Sequence, residues 1–170
     1  MATSLATTLS LSLRATLTNT LDLSTPKDDL SYAFADALSQ GTGLDAGDVL
    51  WHDTRTLTAT TSENLDLAGS LTNGLGTTVT FAKVKAIIIV NKSTTAGYNL
   101  DIGNATSNGW TTMFGGSTHT IKVGPGGCFA NWNPSLAGFA VTAATGDQLK
   151  INNGNAASVD YDIVIIGTSA

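Results

Sequence analysis

"YDIVIIGTSA", residues Tyr161 to Ala170, decides how this chain is read. An apolar run ending in glycine opens many dinucleotide-binding domains. There it leads into a Gly-x-Gly-x-x-Gly turn and a helix whose N-terminus holds the pyrophosphate. Here Gly167 is succeeded by Thr168, Ser169 and Ala170, with no second glycine. The stretch therefore reads as a buried strand, with Ile163 to Ile166 in the middle of a sheet. "IKVGPGGCF" (Ile121 to Phe129) is also glycine-rich but lacks the Lys-Ser/Thr of a phosphate loop, and it reads as a tight turn between strands.

The rest of the chain agrees with a strand reading. "TVTFAKVKAIIIVNKS" (Thr78 to Ser93) contains the continuous apolar run Ala86 to Val90, which predicts either cover on both faces or a central strand in a sandwich. Leu65 with Leu67, and Leu100 with Ile102, alternate as inward positions, and Asn73-Gly74 marks a turn. From Leu9 to Leu23 the odd positions are apolar except Asn19, and the even ones are polar; the run is long for one strand, so a bend near Thr18 to Thr20, or two strands of different sheets, is expected. Between Leu50 and Ala59, Trp51, Asp53, Arg55 and Leu57 share one side, which predicts a face that is partly covered rather than dry. Ser24 to Asp48 is the least strand-like part. Leu30, Ala33, Phe34, Ala37 and Leu38 have helical spacing, so a short helix near residues 29–40 or an ordered loop is expected. The expected fold is all-β: one antiparallel β-sandwich domain over 1–170, jelly-roll-like, with residues 1–25 as an N-terminal strand or arm against a neighbouring subunit.

Composition narrows the function. The chain has 170 residues, 42% hydrophobic and only 12% charged, and its net charge is −5. It has no cluster of basic residues beyond Lys83 with Lys85, expected on one face of a strand, so nucleic acid is repelled. No run approaches the roughly 18 apolar residues that span a bilayer, and the start lacks the basic n-region of a secretory signal, so no membrane partner and no export by that route are expected. Threonine, serine, asparagine and glycine fill the polar positions. Such a surface loses few ions' hydration on contact, which suits subunit packing and predicts a homo-oligomer, with a trimer favoured.

Reactive groups are sparse. His52 and His119 have no neighbouring cysteine or glutamate at metal-ligand spacing, and Asp53 faces away from His52 on a regular strand. Glutamate occurs once, at Glu63, and no Gly-x-Ser-x-Gly elbow is present. Cys128, the single cysteine, precedes Phe129 and reads as a small buried hydrophobe. Asp160 and Asp162 share a strand face; Asp28 with Asp29, and Asp45 with Asp48, read as solvated loop charges without the EF-hand spacing. No catalytic residue, cofactor or metal is expected. Trp51, Trp110 and Trp132 are the candidate interface or ligand-contact residues, with "NWNPS" (Asn131 to Ser135) as an exposed loop able to stack on a sugar.

Several phrases together, "LSYAFADALSQGTG" from Leu30, "LWHDTRTLTATTSENLDLAGSLTN" from Leu50, "VTFAKVKAIIIVNKS" from Val79, "GPGG" from Gly124, "GDQLKINN" from Gly146 and "VDYDIVIIGTSA" from Val159, resemble small virion-associated structural proteins of tailed bacteriophages. The resemblance is one of style and phrase order from about Leu30 onward. It implies a jelly-roll-like structural subunit of a phage particle, made in the host cytoplasm and located in the virion. It implies capsid decoration (cement) first, with the major capsid protein or another virion protein as partner, and a tail or fibre component with a carbohydrate- or receptor-binding sandwich second.

Overall fold

Strands account for all the regular structure in the computed structural model, which describes residues 4–170. In chain order they are β1 (Thr7–Thr18), β2 (Lys27–Gln40), β3 (Ala46–Gly47), β4 (Val49–Leu57), β5 (Thr61–Asp66) and β6 (Lys83–Asn91). They continue with β7 (Leu100–Gly103), β8 (Thr120–Val123), β9 (Cys128–Trp132), β10 (Phe139–Ala140), β11 (Gln148–Asn153) and β12 (Val159–Thr168). The all-β class and the sandwich are as expected.

The two apolar runs singled out in the sequence are the two central strands. β12 pairs antiparallel with β6 on one side and β4 on the other. β9 and β10 share the far edge of β6 along successive lengths. The second sheet runs β5-β11-β7-β8. Alternation along each strand then selects the core: Ile87 and Ile89 from β6, Tyr161, Ile163 and Ile165 from β12, and Trp51 and Leu57 from β4 meet Leu65, Leu149, Ile151, Leu100, Ile102 and Val123 from the other sheet. All are buried, and this one cluster makes the two sheets a β-sandwich.

Gly167 now has a structural reason. β6 carries one extra residue, Lys85, opposite the Ile166–Gly167 step, which is a β-bulge. A Cβ at Gly167 would collide with the Lys83 carbonyl oxygen and sit 2.8 Å from Phe81 Cδ1. Only glycine lets the two strands approach here. The bulge also corrects the expectation that Lys83 and Lys85 share a face as a small basic pair. Lys83 stays at the surface, whereas Lys85 is fully buried and its ammonium donates to the carbonyls of Gly43, Pro134 and Ser135. Burial, with repulsion from Lys83, lowers the Lys85 pKa, and Asp45 opposes that shift.

Two buried asparagines close the sandwich ends. Asn153 Nδ2 donates to the carbonyls of Leu57, Thr58 and Ala157 at 2.9–3.0 Å. Asn91 Nδ2 donates to Tyr98 and Val123 carbonyls, and its Oδ1 accepts from the Ser93 amide. Each replaces backbone pairing where a strand leaves the sheet.

Residues 29–40 overturn the expectation of a helix or loop. They belong to β2, which pairs antiparallel with β1 over the full length from Thr7↔Leu38 to Thr18↔Lys27. The expected bend at Thr18 to Thr20 is the turn of this hairpin, closed by Asn19 donating to the Pro26 carbonyl and Leu21 to that of Ser24. At its base β2 pairs in parallel with β3, and Leu38 is buried. The arm expected over 1–25 is thus the first half of a two-stranded arm; residues 1–3 lie outside the described residues.

Candidate functional site

At one edge of the sandwich four polar side chains pair with one another. Arg55 Nε donates to Glu63 Oε2 at 2.7 Å, and its NH1 donates to Asp53 at 2.8 Å. Tyr161, fully buried, donates its hydroxyl to Glu63 Oε1 at 2.8 Å. The bond to Glu63 raises the Arg55 pKa, and burial, with the Glu63 charge next in weight, raises that of Tyr161. This ties β4, β5 and β12 together at one edge of the core. It accounts for the mixed face of β4: Trp51 and Leu57 are buried, while Arg55 and Asp53 between them pair at the rim.

Three further carboxylates, Asp162, Asp160 and Asp48, are tied to local partners. Asp162 accepts from Thr54 at 2.6 Å and from Lys92 at 3.2 Å, which lowers its pKa; Asp160 accepts from Thr56. Asp48 accepts from the amide and hydroxyl of Ser169. His119 Nδ1 lies 2.9 Å from the Phe114 carbonyl oxygen, and exposed His52 sits on the outer face of β4. Among the described residues no three histidine, cysteine or acidic side chains gather as a metal site.

The tryptophans divide. Trp51 and Trp110 are core residues, each 2% exposed, and not the contact residues expected from sequence. Trp110 donates to the Ala140 carbonyl and packs edge-on against Phe114 and Phe139. Trp132 does not stand in an exposed loop: it ends β9, half-buried, and its Nε1 donates to Asp36 of the arm at 2.7 Å. Cys128 is exposed, correcting the buried reading, because strand alternation turns Phe129 toward the core and Cys128 outward.

The dominant surface feature is apolar. Paired residues in the β1–β2 hairpin project to the same side, so Leu11 with Phe34, Leu13 with Tyr32 and Ala15 with Leu30 form a two-column ladder on one face. Exposure along it is high: Leu11 59%, Leu13 54%, Leu30 51%, Tyr32 54% and Phe34 40%. Leu17, farther toward the tip, is 73% exposed. The opposite face holds Ser10, Ser12, Arg14 and Thr16 against Ala35, Ala33, Ser31 and Asp29. A two-stranded ribbon is marginal by itself in water, and this one leaves a contiguous apolar face exposed.

That ladder runs onto the body. Leu38, its basal rung, and Ile166 flank Gly47. From there the outer face of the larger sheet continues in rows, Trp132-Ala86-Ile166-Leu50 and then Ala130-Ile88-Val164-His52. Leu50, Ile88, Val164 and Ile166 are only half-buried. The next row, Cys128-Val90-Asp162-Thr54, turns polar. A cleft of about 390 Å³ lies beside this face, lined by Leu5, Asp48, Leu50, His52 and Leu75 among others. The signal for the ladder is present in the sequence as the even positions Leu30, Tyr32, Phe34 and Leu38. No protein-family model, no curated protein and no solved structure matches this chain.

Proposed function

We propose that this chain is a non-enzymatic structural subunit of a bacteriophage particle, a capsid decoration (cement) protein that binds the capsid exterior and stabilises it through subunit contacts. The observation that carries the reading is the projecting hairpin with its bare leucine and aromatic face, set on a charge-poor sandwich. Strand order supports a jelly roll, the architecture the sequence resemblance implies: β4-β12-β6-β9 faces β5-β11-β7-β8, so successive strands cross repeatedly between the sheets. The self-contained polar network around Glu63 and Arg55 is consistent with a role that involves no catalysis.

The second reading, a tail or fibre component that binds carbohydrate, draws on a polar groove over β7, β8 and β11 where Asp101, Asn104, Thr120, Lys122 and Asn152 converge. Trp132 supports it less, being committed to Asp36. The test is to add purified protein to phage particles that lack it. Saturable binding to the capsid shell, with release of the genome at a higher temperature, is expected. Binding to glycans or host cells instead, or no binding to particles, overturns the decoration reading.

A further inference from the structure

We infer that the apolar face of the β1–β2 hairpin is a self-association surface, covered by the same face of further copies of this chain. The inference rests on reading the chain as an assembly subunit, but not on which particle it joins. Three observations select a second copy over other occupants. The first is area. At the exposures found for Leu11, Leu13, Leu17, Leu30, Tyr32 and Phe34, each hairpin offers roughly 600 Å² of apolar surface. Two such faces together remove about 1,200 Å² from water, within the range of specific interfaces.

The second is shape. From the Leu11–Phe34 rung to the Ala15–Leu30 rung one face of the ribbon is apolar, while the other carries Ser12, Arg14, Ser31 and Ala33. Two ribbons stacked face to face bury the ladders at the ordinary sheet spacing of about 10 Å and leave both polar faces wet. The third is charge. The ladder has no cation; its only charges are Asp36 at the base and Asp28 near the tip, paired across from Leu9 and Leu17. An anionic membrane or nucleic acid would meet carboxylates there, whereas another ladder presents an uncharged middle.

The oligomeric mass of the full chain by sedimentation or native mass spectrometry tests this, with the variant Leu13→Asp/Tyr32→Asp, whose two sites oppose each other on the ladder. Ser12→Asp, one residue away on the wet face, is the control. We expect a discrete oligomer for the natural chain and for Ser12→Asp, and a monomer with intact near-ultraviolet tryptophan signals for the double variant. A natural chain that is monomeric at about 10 μM, where an interface with a dissociation constant of about 1 μM is mostly formed, overturns the proposal. So does an unchanged mass in the double variant, or equal dissociation by Ser12→Asp. If the double variant does not fold, Leu13→Cys, on the middle rung, in a Cys128→Ser background provides the second test. Cross-linking between copies at residue 13, absent for Ser12→Cys, is expected, and equal cross-linking at both sites, or none at either, overturns the proposal. A monomeric natural chain that still binds capsids leaves the decoration reading standing; an oligomer without affinity for particles leaves the hairpin proposal standing.

Discussion

At the scale of single residues, Gly167 and Tyr161 show how chemistry that resembles a site serves packing. Gly167 sits where β12 meets the bulge in β6, and a methyl group has no room between Lys83 and Phe81. Gly167→Ala is expected to destabilise the sandwich by about 2–3 kcal/mol, read as a lower urea midpoint. Tyr161 is held in its neutral form by burial and by Glu63. Its folded pKa lies above the unfolded value near 10, so its contribution is complete below about pH 10 and is lost as pH rises beyond that. Tyr161→Phe is expected to cost about 1.5 kcal/mol near neutral pH and to flatten the fall in stability between about pH 8 and pH 11. Denaturation midpoints at the two pH values check both parts. That Gly167 serves no nucleotide is legible in the sequence, because no glycine-rich turn continues from it. Its steric role is not legible, because the bulge depends on a partner strand some eighty residues earlier in the chain.

At the scale of elements, the strands that bury a face are legible, and of the two exposed ones β1 is and β2 is not. β6 and β12 carry long apolar runs, and burial forces their alternation. β2 has helical spacing at Leu30, Ala33, Phe34, Ala37 and Leu38, but also strand spacing at Leu30, Tyr32, Phe34 and Leu38. Local pattern alone does not separate the two; the long pairing with β1 decides it. Cys128 escapes the sequence reading for the related reason that an apolar neighbourhood in sequence alternates sides in a strand. Of the three tryptophans expected at contacts, only Trp132 borders the ladder, whose leucines read in the sequence as part of an N-terminal arm and of a short helix or ordered loop. If the ladder is covered by other copies, hairpin amides should be protected from hydrogen exchange in the natural chain. In Leu13→Asp/Tyr32→Asp they should exchange many-fold faster while β6 and β12 amides remain protected. Equal hairpin protection in both proteins would contradict that cover.

At the scale of the whole molecule, a net charge of −5 is spread over a surface rich in threonine and asparagine, so the proposed assembly has little electrostatic contribution to draw on. An association built on leucine and aromatic contacts should hold between about 0.05 and 1 M salt, since screening weakens exposed ion pairs but not apolar contact. Light scattering across that range checks this; dissociation at high salt would point to charged contacts instead. The hairpin also has a consequence for the life of the newly made polypeptide. If the ladder is covered by other copies, a lone subunit displays a greasy blade that only mass action hides. The melting temperature should therefore climb with subunit concentration, and expression at low dose should yield disproportionately little intact product.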